Sequence, residues 1–116
     1  MSDYVLPTKV VRAGAECQPI ETRFELVDGT AIVSNLFVKA GAFLPQHTHE
    51  YAHSSVVAHG RVRVWRNGGF VGEFVRNSIV VIPAHAEHVF QALDDGTVVL
   101  CIHRPDQKIF EEHQIV

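Results

Sequence analysis

The sequence is poor in cysteine, has no long apolar run and carries little excess charge. Its 116 residues include two cysteines, Cys17 and Cys101, which excludes a framework of several disulfides and makes two reduced thiols the simpler expectation. No stretch reaches the roughly 18 apolar residues of a membrane span, and the first residues lack the basic and apolar regions of a signal peptide. These absences predict a cytoplasmic protein with no membrane partner.

Net charge and composition limit the kinds of partner that the protein is expected to bind. A formal charge of −3 gives no electrostatic reason to expect nucleic acid or an anionic surface as a partner. Arg61, Arg63 and Arg66 do cluster, but three arginines on one short strand are more often a solvated face than a binding patch. With 47% apolar and 20% charged residues, the composition is that of a folded protein, and the length predicts one domain over residues 1–116.

Turn residues divide the chain into short segments in which polar and apolar residues alternate. Asp28-Gly29 and Asn67-Gly68 each predict a tight hairpin. The segments are rich in the β-branched and aromatic residues that favour strands. Strands are predicted over 22–27, 31–39, 54–59, 61–66, 70–76, 79–82, 88–93 and 97–103. With the extended segment around His47 and His49 counted as well, about nine or ten short strands without a convincing helix predict an all-β sandwich or barrel of antiparallel strands.

The predicted strand over 31–39 is apolar on both faces. One face carries Ile32, Leu36 and Val38, and the other carries Ala31, Val33 and Phe37. A strand of this kind is buried on both sides, within a sandwich or at a contact between subunits. We expect one face to line the core and the Ala31, Val33 and Phe37 face to be covered by a second subunit, which predicts a homodimer.

Histidine is abundant, with eight residues in the chain. His47 and His49 share a face if their segment is extended, because residues i and i+2 of a strand point the same way. His53 can join them if the chain stays nearly extended, and His88 can join them if its strand folds opposite. A single His-x-His pair is often incidental, but three or four neutral imidazoles predict a site for a divalent transition metal with an open position.

The remaining histidines are predicted to lie outside the metal ligand set. His59 abuts a turn glycine, His85 falls in a loop and His113 lies near the C-terminus. His103 is grouped with these three histidines, either as a solvated residue or as one that orients a metal ligand without binding the metal itself. Tyr51 and His59 are the nearest candidates to move a proton beside the metal.

Two stretches, 41–60 and 77–92, have the spacing of a known pair of metal-binding motifs. The first motif reads Gly, five residues, His-x-His, three or four residues, Glu, six residues, Gly. The matching residues are Gly41, His47, His49, His53 and Gly60. Every spacing fits, and only the Glu position has changed, to His53.

The second motif reads Gly, five residues, Pro-x-Gly, two residues, His, three residues, Asn. The corresponding residues are Asn77, Pro83, His85, His88 and Ala92. Proline and the ligand histidine match, while both glycines and the final asparagine are replaced. Asn77 is a mild replacement, because asparagine tolerates the left-handed backbone that a turn glycine supplies. On these two motifs the chain resembles the cupin superfamily.

The resemblance implies a jelly-roll β-barrel, the double-stranded β-helix, as a single domain that is often dimeric. It implies one metal ion inside the barrel, bound by His47, His49, His53 and His88. Four neutral imidazoles make the ion a stronger Lewis acid than three imidazoles and a carboxylate do. Four-histidine cupins include manganese proteins, and imidazole also suits iron, nickel, zinc and copper, so the ligands alone do not choose the metal.

Several functions are compatible with such a site. We expect a mononuclear metalloenzyme such as a dioxygenase that acts on a small organic substrate, in a pocket lined by Phe43, Val57, Val81 and Phe90. A lyase or isomerase that uses the metal as a Lewis acid on a sugar acid is also compatible, although the absence of a strongly placed interior carboxylate slightly disfavours it. A non-catalytic module that binds a small ligand or a metal, and a metal-free barrel with incidental histidines, complete the range.

Overall fold

The computed structural model describes residues 20–45 and 52–103. Every regular element in these ranges is a β-strand, and no helix there is long and apolar enough to cross a membrane. The nine strands are β1 (Ile20–Val27), β2 (Thr30–Phe37), β3 (Phe43–Pro45), β4 (His53–His59), β5 (Arg61–Arg66), β6 (Gly69–Val75), β7 (Ile79–Ile82), β8 (His88–Ala92) and β9 (Thr97–His103). Cys17, His113 and the C-terminal tail lie outside the described residues.

The strands form two antiparallel sheets with the core between them. One sheet has the order β1-β2-β9-β4-β7 and the other has the order β3-β8-β5-β6. The buried apolar cluster draws on both sheets, for example on Phe37, Val57 and Val99 from the first and on Val64 and Phe90 from the second. The all-β antiparallel prediction is confirmed. Within the described residues the two sheets are not closed into a barrel, since no strand ladder joins their edges.

Two hairpins follow from their turn residues as predicted. Asp28 and Gly29 have φ angles of +50° and +80°, and Asn67 and Gly68 have φ angles of +49° and +83°. Consecutive left-handed residues define a type I′ turn, whose twist matches that of the two strands it joins. The first turn joins β1 to β2, and the second joins β5 to β6.

The prediction for the two faces of β2 is wrong. Ala31, Val33 and Phe37 are at most 2% exposed and belong to the core, whereas Ile32 and Leu36 are half-buried on the outer side. Because both faces are apolar, the alternation contains no polar marker that tells inside from outside. Pairing with β9 settles the orientation, since Val33 lies opposite the buried Cys101.

Of the three clustered arginines, Arg61 and Arg66 are exposed, and Arg63 is half-buried with its Nε atom out of contact with solvent. Arg61 donates from Nε and Nη2 to the two carboxylate oxygens of Asp94, at 3.0 and 2.9 Å, and this contact holds the pKa of Asp94 below its ordinary value. Arg61 and Arg63 also approach Glu73 at 3.9 Å, and Arg66 is exposed. The Arg61 pair ties β5 of one sheet to the turn that leads into β9 of the other.

Candidate metal centre

Three histidines are buried between the two sheets. The exposed fractions are 5% for His53, 2% for His88 and 1% for His103. His53 begins β4 and His103 ends β9, and because these two strands are antiparallel neighbours, both histidines lie at the same end of their sheet. His88 begins β8 on the facing sheet and shares the inward face with Phe90, since side chains two residues apart in a strand point the same way.

Two of these side chains are in ring contact. The ring centroids of His53 and His103 are 4.5 Å apart, with an angle of 31° between the ring planes. The strand register explains it, because Ser54 lies opposite Ile102 and the preceding residue of β4 therefore faces the following residue of β9. The structure thus pairs a predicted metal ligand with a histidine that the sequence places outside the ligand set.

His88 is oriented by the backbone. Its Nδ1 atom lies 3.1 Å from the carbonyl oxygen of Ala86. A carbonyl oxygen only accepts, so Nδ1 carries the proton and donates it. Nε2 is then left with its lone pair, which is the state in which imidazole binds a metal.

A polar group adjoins the paired histidines on the inner side of the same sheet. The Ser55 hydroxyl lies 3.4 Å from the Cys101 sulfur, and the side-chain amide of Asn35 donates to that sulfur at 3.9 Å. Burial raises the pKa of the Cys101 thiol to about 11, and the hydrogen bond with Ser55 offsets only part of this shift. Cys101 is therefore a free, neutral thiol near neutral pH.

The interior offers neutral donors in an otherwise apolar space. The buried polar side chains in the described residues are Asn35, His53, Ser55, His88, Thr97 and His103, without a carboxylate among them. Imidazoles in such surroundings suit a divalent transition ion better than calcium or magnesium, which prefer oxygen ligands. The chemistry of the donor set therefore fits the predicted metal.

Two of the four residues predicted to line a pocket face the interior, and the other two do not. Val57 and Phe90 are fully buried in the core. Val81 instead points outward from β7 and is 63% exposed. Phe43 packs on Trp65, with ring centroids 6.2 Å apart, while its neighbour Leu44 packs against the core cluster. Alternation therefore places Phe43 on the outer side of its sheet.

The structure does not bring His59 to the buried histidines. His59 is exposed at the far end of β4 from His53, and the intervening six steps of strand span about 20 Å. Its assignment as a proton-moving residue beside the metal is therefore wrong. His85 is exposed in the loop before β8, as predicted.

His103 is a functional candidate that is missed on sequence alone. The sequence groups it with solvated and supporting histidines, yet it is one of the most buried side chains in the described residues. The alternation of the strand could have indicated this burial. His103 lies two and four residues after Cys101 and Val99, so its side chain points to the same buried side of β9. The register that places it beside His53 cannot be read from the sequence.

The remaining predicted site residues, His47, His49 and Tyr51, lie outside the described residues. Within the described ranges no group of three or more histidine, cysteine or acidic side chains is close enough to hold a metal ion. The four-histidine ligand set therefore remains a prediction.

Motif positions in the described residues keep the backbone that the motifs require. Asn77 and His85, which stand where the second motif has glycine, have φ angles of +78° and +62°. Tolerance of Asn77 for this conformation is confirmed, while for His85 the left-handed backbone costs on the order of 1 kcal/mol. Gly60 of the first motif has φ +79°, and a Cβ there would lie 2.3 Å from Thr97 Oγ1.

Comparison with known proteins agrees with this geometry. No protein-family model matches the chain, and no curated protein matches its sequence. Among solved structures, an RmlC-like cupin from Desulfovibrio desulfuricans is 29% identical, with a TM-score of 0.63 over 74% of this chain and 83% of that one. KdgF from Halomonas sp. is 19% identical, with a TM-score of 0.65 over 95% and 99% of the two chains.

A cupin 2 conserved barrel domain protein from Rhodopseudomonas palustris has a TM-score of 0.69 at 17% identity, over 84% of this chain and 68% of that one. These likenesses and the two sequence motifs agree on one class. The chain is a small protein of the cupin fold, and the predicted resemblance is confirmed.

Proposed function

We propose that this cupin is a metal-dependent enzyme that binds one divalent transition metal ion through His47, His49, His53 and His88. The observation that carries the proposal is the burial of His53 and His88 on facing sheets, in an interior whose described side chains include no buried carboxylate. The motif spacing from Gly41 to Gly60 supports the addition of His47 and His49. When bound, the ion supplies Lewis acidity or a redox-active centre.

The reaction best supported is a dioxygenase-type oxidation of a small organic molecule. The residues beside the histidines are apolar on the sheet that carries Val64 and Phe90 and neutral on the sheet that carries Ser55 and Cys101. A substrate that reached the ion would meet these neutral surroundings, which favour an apolar molecule over a charged one. The hydrogen bond from His88 to the Ala86 carbonyl holds one imidazole in the orientation in which it can bind the metal.

The test begins with metal content. Protein purified without a histidine tag and reconstituted in turn with manganese, iron, nickel, copper and zinc should hold close to one ion per chain for at least one metal. Oxygen uptake is then measured with a panel of enols, diols and thiols. Protein that binds none of the five metals would contradict the proposal.

The same experiment separates the competing functions. Turnover that persists without oxygen would indicate lyase or isomerase chemistry instead. A loaded protein that turns over nothing in the panel, yet binds members of it, would indicate a non-catalytic module.

A further inference from the structure

The side chain of His103, the last residue of β9, is buried in the interior of the protein. It is 1% exposed, and its strand partner on β2 is Ala31, which is also fully buried. A buried imidazole at this position offers nitrogen atoms that an apolar residue would not.

The position of the ring indicates a chemical role for these nitrogen atoms. His103 lies against His53, with ring centroids 4.5 Å apart. Metal–nitrogen bonds are about 2.1 Å long, so two imidazoles at this separation can each direct a nitrogen atom toward one shared ion. The ring contact therefore brings a second imidazole close enough to His53 for the two to share one ion.

We propose that His103 is an additional metal ligand, which shares with His53 the ion assigned to this centre. The inference rests on the proposed function, since it requires a metal ion, but it adds a residue that lies outside both cupin motifs. Its consequence is redundancy. Either imidazole of the pair can retain the ion when its neighbour is removed, and removal of both leaves that side of the centre without a nitrogen ligand.

The experiment measures binding of Co(II) by calorimetry and by its visible absorption, which reports the ligands around the ion. The variants are His53→Gln, His103→Gln and the double variant, with His85→Asn as the control, because His85 is exposed and asparagine tolerates its left-handed backbone. Each single change should weaken binding about tenfold or more and shift the absorption bands of the saturated protein. The double variant should lose more than the product of the two single losses.

His103→Phe separates ligation from packing. Phenylalanine keeps an aromatic ring against His53 but has no nitrogen, so it should bind Co(II) as poorly as His103→Gln does. Circular dichroism of the metal-free variants checks that both fold. Binding restored by phenylalanine would overturn the proposal, and so would an unchanged spectrum in His103→Gln. If the parent protein binds neither Co(II) nor any of the five metals named above, the proposed function itself fails, which is a different result from loss of the His103 effect alone.

Discussion

His88 Nδ1 donates a hydrogen bond to the carbonyl oxygen of Ala86, 3.1 Å away and two residues before it in the chain. The contact is made within the loop that enters β8, so the loop that carries the second motif also sets the tautomer of this proposed ligand. Only Nε2 remains to bind an ion. A backbone carbonyl cannot be removed by substitution, so this anchor of His88 does not depend on a neighbouring side chain.

Replacement of His88 by phenylalanine should therefore abolish metal binding while the fold persists. The side chain is 2% exposed, and phenylalanine fills the space without a nitrogen atom, at a cost in stability of about 1–3 kcal/mol for a changed core shape. Metal content after reconstitution and thermal unfolding of the metal-free protein measure the two effects. Stoichiometric metal in His88→Phe would remove His88 from the ligand set.

The buried thiol of Cys101 should make stability fall as pH rises from about 9 to about 11. Burial raises the pKa of the folded-state thiol from 9.0 to about 11, so above pH 9 the unfolded chain releases this proton before the folded protein does. The folded state then binds more protons, and the free energy of unfolding decreases with pH. A pKa difference of this size corresponds to about 2–3 kcal/mol in the free energy of unfolding.

The comparison between the parent and Cys101→Ala isolates this effect. The remaining groups that titrate in the same range are common to both proteins, so only the difference in slope of unfolding free energy against pH is interpreted. The slope should be shallower in Cys101→Ala. Equal slopes would show that the thiol ionises at the same pH in the folded and unfolded states.

Gly60 should tolerate substitution far less well than Gly41, although both are motif glycines with left-handed backbones, at φ +79° and +92°. A Cβ at Gly60 would lie 2.3 Å from Thr97 Oγ1 and 3.0 Å from Thr97 Cα, whereas nothing lies within 4 Å at Gly41. Thr97 Oγ1 cannot swing away cheaply, because it donates to the Asp94 carbonyl oxygen at 2.7 Å.

We expect Gly41→Ala to cost about 1–2 kcal/mol, from the left-handed backbone alone. Gly60→Ala should cost at least about 2 kcal/mol more, since it adds the displacement of Thr97 and the loss of its hydrogen bond. Urea denaturation of the two variants and the parent measures both values. Equal losses would mean that the contact with Thr97 relaxes without cost.

Most strands could be predicted from the sequence because turns are specified by local residues. Asn67-Gly68 requires a left-handed backbone, and it marks the hairpin to within a residue. Prediction failed where the deciding contact is distant in the chain. Nothing local tells which face of β2 is inner, and nothing local shows that the end of β9 meets the start of β4. His103 is missed for that reason, while the motif spacing alone selects His53 and His88.

The outer face of the five-stranded sheet carries the surface features of a subunit contact. Its outward apolar residues run across four strands and are Ile32 and Leu36 on β2, Val98, Leu100 and Ile102 on β9, Val56 on β4, and Ile79 and Val81 on β7. On the neighbouring edge strand β1, the residues that pair with the outward residues of β2 are charged and exposed. They are Glu21, Arg23 and Glu25. An apolar centre with a charged border is typical of protein interfaces.

We therefore expect a homodimer formed through this outer face, and not through the Ala31, Val33 and Phe37 face, which the core occupies. Ile79 and Val81 are 66% and 63% exposed, and removal of apolar area from water contributes about 25 cal/mol per Å². Sedimentation at micromolar concentration should give twice the 12.9 kDa chain mass.

Val81→Asp should shift the protein to monomer, because an unpaired charge cannot be buried in the contact without a large penalty. Val71→Asp is the matched control, since Val71 is 42% exposed on β6 of the facing sheet. Dissociation by both variants would place the contact elsewhere, and a parent protein that sediments at the chain mass would reject the dimer.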